Sequence, residues 1–147
     1  MWLKSSTLAA ALVAATLVGA GGPGHAGDDA IEITEERKQA CAEAAERFKE
    51  LFPDYKPETG VAVVFAYKYN FCPANLTVKA GTKVRWVNVE KRTSHSVWMK
   101  DAGLAESPRL FPDELWEYTF EASGAFPYLC GPHWKQENMR GFVKVTD

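Results

Sequence analysis

From Gly60 to the end of the chain, apolar residues recur at alternate positions in short runs separated by turn residues, and this pattern constrains the fold most. Val61 to Tyr69 is a run of β-branched and aromatic residues. Leu76 to Lys79 follows, then the turn Ala80-Gly81-Thr82 and a further run from Lys83 to Val89. His95 to Met99, Glu114 to Glu121, Ala125 to Cys130 and Gly141 to Val145 complete the series. Residues 100–113 hold Gly103, Pro108 and Pro112 and are expected to form a long surface loop. Short strands at such regular intervals predict an all-β chain folded as a β-sandwich. There is no internal repeat and no low-complexity tract.

Before Gly60 the period changes. Thr34 is suited to cap a helix, with Glu35 and Glu36 in the first turn, where carboxylates favour the helix dipole. Ala40, Cys41, Ala44, Ala45, Phe48 and Leu51 fall at helical spacing and form one apolar stripe, which predicts a helix lying against the sheet. Phe52-Pro53 ends it, and residues 53–60 read as a linker.

The start of the chain reads differently again. Lys4, an apolar stretch from Leu8 to Val18 and the small residues of Gly24-His25-Ala26 make a secretory signal peptide cleaved after Ala26. The apolar stretch is shorter than the ~20 residues a spanning helix needs, so no membrane span is expected after cleavage. The expected division is therefore a signal peptide over 1–26, a helical extension and linker over 27–60, and one domain over 61–147, exported to the periplasm. A formal net charge of −2 without a basic run argues against nucleic acid or an anionic membrane surface as partner.

The chemistry concentrates near the C-terminus, in Cys130-Gly-Pro-His133 followed by Met139. A thiolate, an imidazole and a thioether within ten residues suit an ion cycling between Cu(I) and Cu(II). His95, in Thr93-Ser94-His95-Ser96-Val97, can supply a second imidazole, and cysteine, two histidines and a weak methionine form the ligand set of a blue-copper site. Cleavage of the signal would remove His25 and leave no histidine for a second centre. With Cys130 on the metal, Cys41 and Cys72 are left either as a disulfide or as two buried thiols.

Residues 69–145 resemble the cupredoxin family, which includes plastocyanin, pseudoazurin and amicyanin. Phe71-Cys72-Pro73, Leu76-Thr-Val78-Lys-Ala-Gly81-Thr-Lys-Val84-Arg-Trp86-Val-Asn88 is similar to the family's entry into the sandwich. His95-Ser96-Val97 resembles the segment of its first histidine, Tyr128-Leu129-Cys130-Gly131-Pro132-His133 that of its cysteine and second histidine, and Met139-Arg140-Gly141-Phe142-Val143 that of its axial methionine. The resemblance implies an all-β Greek-key β-sandwich, here with an added N-terminal α-helix, and one copper ion held by His95, Cys130, His133 and Met139. It also implies a monomeric electron carrier, not an enzyme, that meets redox protein partners near His133 and Trp134. A copper carrier or chaperone using the same ligands is the alternative. Five residues separate His133 from Met139, one or more beyond the common family spacing, so Glu137 or Asn138 also stands as a candidate for the axial position.

Overall fold

A computed structural model describes residues 30–147; the expected signal peptide, residues 1–26, lies outside them. The first element is helix α1, Glu35–Leu51. Its cap is the one expected: the Thr34 side chain accepts from the Arg37 N–H, and Glu35 and Glu36 occupy the first turn. Seven strands follow: β1 (Val61–Tyr67), β2 (Asn70–Cys72), β3 (Asn75–Lys79), β4 (Thr82–Asn88), β5 (Leu115–Phe120), β6 (Gly124–Leu129) and β7 (Arg140–Thr146), with a 3-10 turn at Lys100–Ala102.

The strands form two mixed sheets, the expected sandwich. One has the order β2-β1-β4-β5, with β1 parallel to β4 and the other pairs antiparallel. The other has the order β3-β7-β6, with β7 in the middle, parallel to β3 and antiparallel to β6. Alternation sends Val64, Ala66, Val84 and Trp86 between the sheets, where they meet Phe71, Phe120, Tyr128, Val143 and Val145. Trp86 is fully buried there, with Trp116 and Tyr128 ring centroids each 5.4 Å away.

Strand β1 is apolar on both faces, and α1 explains why. Val63, Phe65 and Tyr67 point away from the sandwich, together with Val87 and Val89, and pack against Ala44, Phe48, Leu51 and Phe52. The helix therefore makes a third layer over the outer face of the four-stranded sheet. Phe48 is its anchor, with ring centroids 4.7 Å from Phe65 and 4.9 Å from Tyr55. Cys41 and Cys72 are joined in a disulfide between α1 and β2, which settles the choice left by the sequence.

Two local expectations are corrected. The run Val61 to Tyr69 is not one strand: Lys68 and Tyr69 both adopt positive φ, 45° and 57°, and turn the chain into antiparallel β2. Such a two-residue turn requires left-handed backbone at both positions, normally signalled by Asn or Gly. His95 to Met99 is not a regular strand either. It makes two isolated bridges, His95 with Leu110 and Trp98 with Leu129, so it laces a loop to the edge strand β6.

Candidate metal centre

The end of β4, the end of β6, the start of β7 and the β1–β2 turn carry the residues of the site. At the end of β4, Asn88 is fully buried and its side-chain amide fixes the chain on the way to His95. Its Nδ2 donates to the carbonyls of Thr93 at 2.8 Å and Leu110 at 2.9 Å, while its Oδ1 accepts from the Glu90 N–H. His95 and Leu110 then exchange both backbone hydrogen bonds, at 2.9 and 2.8 Å. Trp98 and Leu129 do the same at 2.9 and 3.0 Å, which sets the His95 segment beside Cys130.

Ser96 ties the two segments at the site itself. Its Oγ accepts from the Gly131 N–H at 2.9 Å and donates to Glu106 Oε1 at 2.6 Å. The absence of a side chain at Gly131 makes room for this: a Cβ there would lie 1.9 Å from Glu106 Oε1.

His95, Cys130 and His133 present their ligand atoms within 4.8 Å of one another. Cys130 Sγ is 3.6 Å from His95 Nδ1 and 3.5 Å from His133 Nδ1, and the two Nδ1 atoms are 3.3 Å apart. A circle through the three atoms has a radius of about 2.0 Å, the length of a bond from a first-row metal ion to imidazole nitrogen. Two imidazole nitrogens and a thiol turned toward one point, in a site where His95 and Cys130 are fully buried, form a donor set suited to a soft or borderline cation.

Met139 is fully buried in the same core cluster as Cys130. The Cys130 N–H donates to its carbonyl at 3.0 Å, and the Met139 N–H to the carbonyl of His133 at 3.4 Å. The intervening residues close a helix-like turn, with Trp134 N–H on Cys130 O at 2.9 Å and Glu137 N–H on His133 O at 3.0 Å. Asn138, at φ 50°, ends the turn. This coil absorbs the long spacing and returns Met139 to the core. Glu137 and Asn138 are left exposed, the latter accepting from Arg140 Nε at 2.7 Å.

Burial pushes the Cys130 thiol up, against the smaller downward pull of the Ser96 and His133 backbone N–H groups. The free thiol is therefore protonated at neutral pH, and a metal must displace the proton. Burial also pulls the His133 imidazole down, aided by His95 and Arg109, which keeps its nitrogen free to coordinate.

Two neighbours were not visible in the sequence. Glu90 sets its Oε1 3.5 Å from the buried His95 Nε2 and accepts from the Lys68 N–H. Burial raises the Glu90 carboxyl, but the contacts to His95 and Lys68 outweigh it and leave it below the ordinary range. Tyr69, on the β1–β2 turn, stands edge-on to His133 at 4.9 Å between ring centroids. The signal for Tyr69 is its left-handed backbone, which the sequence does not display.

Residues 61–146 match the family model described as copper binding proteins, plastocyanin/azurin family. Amicyanin of Paracoccus versutus is 30% identical over 147 residues, covering 97% of this chain and 98% of that protein. Amicyanin of Paracoccus denitrificans is 29% identical over 147 residues, with the same coverage. Among solved structures, a reduced Cu(I) form of an amicyanin mutant at pH 4 superposes with a TM-score of 0.54 at 28% identity, covering 62% of this chain and 87% of that one. Another amicyanin mutant in its Cu(I) form gives 0.53 at 28% identity, with 73% and 90% covered. The chain belongs to the plastocyanin/azurin family of copper-binding proteins and is amicyanin-like.

Proposed function

We propose that this member of the plastocyanin/azurin family is a periplasmic blue copper protein that carries single electrons between redox partners, its one copper one that His95, Cys130, His133 and Met139 would hold. The observation that carries the reading is the convergence of one thiol and two Nδ1 atoms in a buried, prebuilt triangle. Copper bound there supplies a one-electron couple between Cu(I) and Cu(II).

The chain's own residues do the rest. Cys130 gives up its proton on loading and offers a thiolate. His95 offers Nδ1, and its Nε2 faces Glu90, a carboxylate that favours the tautomer with the proton on Nε2. The backbone of the His95 segment is bonded on both sides, to Leu110 and to Leu129, so the nitrogens stay in place when the charge at the site changes. The burial of Met139 and the exposure of Glu137 and Asn138 support the thioether as the group that would be the fourth ligand. His95 and Cys130 are shut off from water, whereas His133 is partly exposed and supplies the route by which an electron reaches a docked partner.

Among the described residues no other group of three His, Cys, Asp or Glu could hold an ion. With His95 and His133 committed, residues 27–147 offer no histidine for the second centre of a copper enzyme. The division into signal peptide 1–26, extension 27–60 and copper domain 61–147 belongs to the same proposal, and the exported protein is expected to begin at Gly27 by intact-mass measurement.

The test is the optical and paramagnetic spectrum of the copper-loaded protein. A strong band near ~600 nm with narrow Cu(II) hyperfine splitting is expected of a His₂Cys site. A colourless Cu(II) form would refute the reading.

A further inference from the structure

Helix α1 lies outside residues 61–146, the span shared with the family, yet it reaches the frame of the site. Arg47, on α1, donates its Nε to the Val89 carbonyl at 2.8 Å. Its side chain is only 18% exposed, so this charge-assisted hydrogen bond is largely shielded from water. Val89 is the first residue past β4 and Glu90 the second; Lys91 and Arg92, both exposed, form the bend that follows. The Glu90 N–H donates to Asn88 Oδ1 at 2.9 Å, and its carboxylate accepts from the Lys68 N–H. Glu43, one turn before Arg47 on α1, pairs with the Lys68 ammonium and accepts from the Tyr67 hydroxyl at 3.3 Å. Both stretches that hold Glu90 are therefore tied to one face of α1.

The consequence falls on His95. Among the described residues its buried Nε2 has no hydrogen-bond partner closer than Glu90 Oε1, at 3.5 Å. That distance is the outer limit of a hydrogen bond, so a small displacement of Glu90 makes or breaks it. We infer that Arg47 of α1 is a positioning residue for the copper site: by holding Val89 it keeps Glu90 against His95 Nε2 and so biases the bound ion toward Cu(II). The inference rests on the proposed electron-carrier role and adds a residue that sets how firmly the electron is held. A carboxylate on the far nitrogen of a ligating imidazole makes that imidazole a stronger donor, which favours the more highly charged ion. Glu43 contributes less, because its pair with Lys68 is largely exposed and screened by water. Charge alone predicts the opposite sign for Arg47: removing a cation favours Cu(II), whereas losing the hold on Glu90 favours Cu(I).

The first experiment measures the Cu(II)/Cu(I) ratio of the copper-loaded protein against a mediator of fixed potential. Glu90→Gln should lower the ratio about tenfold, the scale of losing an outer partner of a ligand, and Arg47→Met about threefold. Arg47→Lys, which keeps the charge and can still donate to Val89, should return the ratio toward that of the parent. With Glu90→Gln already in place, Arg47→Met should no longer lower it. A ratio that rises or stays constant in Arg47→Met, or that falls equally with and without Glu90, would overturn the inference. The second experiment needs no metal: nitrogen-15 NMR of the copper-free protein follows exchange of the His95 Nε2 proton with water. Arg47→Met should speed that exchange while the helical circular dichroism is kept, since Phe48 and the Cys41–Cys72 disulfide still anchor α1. Exchange as slow as in the parent would overturn the inference whatever the colour of the protein. Failure of the parent protein to turn blue would instead refute the proposed function and leave the copper-free result to decide the role of Arg47.

Discussion

Replacing both Cys41 and Cys72 with alanine removes the disulfide cross-link between α1 and the sandwich and leaves only the backbone through residues 52–60 to join them. The bridge closes a loop of 31 residues. In the chain-entropy model such a loop restrains the unfolded state by about 12 cal/mol/K, or about 3.7 kcal/mol at 25 °C. The folded state loses little in exchange, because Phe48 still packs on Phe52, Tyr55 and Phe65, and burial of such a side chain contributes about 2–3 kcal/mol. The variant should therefore keep α1 in place and fold less stably by about 3–4 kcal/mol, a large share of the ~5–15 kcal/mol typical of a domain. Urea unfolding of the copper-free protein, followed by tryptophan fluorescence and far-ultraviolet circular dichroism, measures it. The two signals should move together to a lower midpoint, and the copper-loaded variant should keep its absorption band, since Cys130 is untouched. A loss below about 1 kcal/mol would show that the bridge adds nothing that helix packing does not already provide. Early loss of helical signal would show that packing alone does not hold α1.

Further expectations concern the site and its frame. Gly141→Ala puts a Cβ 2.2 Å from the ring of Tyr128, which is buried between Phe71 and Trp86, so the loss of stability should reach the upper end of the ~1–3 kcal/mol overpacking range or exceed it; a change under about 1 kcal/mol in urea would contradict this. Ser96→Ala leaves the Gly131 N–H without its partner and should cost about 1–3 kcal/mol while shifting the blue band; an unchanged spectrum would mean that Ser96 does not set the Cys130 loop. Loading the copper-free protein at neutral pH should release about one proton per copper from Cys130, read from the buffer dependence of the calorimetric heat; no dependence would show the thiol was already ionised. Lys68 holds the Glu43 carboxyl below the ordinary range, and Arg85 does the same for Glu58 and Glu117. Their pKa is lower folded than unfolded, so the unfolded chain takes up protons first as pH falls past about 4.5, and the urea midpoint should fall on acidification; a midpoint that holds or rises would refute the sign.

The sequence made the helix and most strands legible because their periods are strong and their turns carry Gly or Ser. β3, β4, β6 and β7 lie where the alternation puts them. The cluster of Cys130, His133 and Met139 stood out for the same reason, three metal-binding side chains crowded before a strand. What the sequence hid is local backbone geometry. Lys68-Tyr69 carries no turn residue, so the break that aims Tyr69 at His133 could not be seen. The spacing from His133 to Met139 counts residues but not coil, and only the helix-like turn over 133–137 shows how five intervening residues still bury the thioether. His95 to Met99 alternates like a strand, yet its partners lie on two sides, Leu110 and Leu129, and that depends on how distant segments meet. The apolar stripe of α1 was the sign that it must cover the sheet, and the apolar outer face of β1, with Val63, Phe65 and Tyr67 together, agrees with it.

β7 is the last strand of the chain and the middle strand of its sheet. A polypeptide made or threaded across a membrane from its N-terminus therefore has nothing to join β3 to β6 until its final seven-residue strand has emerged. Cys130, His133 and Met139 lie just ahead of that strand, so the site is closed only once β7 has paired. The strand order therefore couples closure of the three-stranded sheet to closure of the site, since one strand, β7, is needed for both.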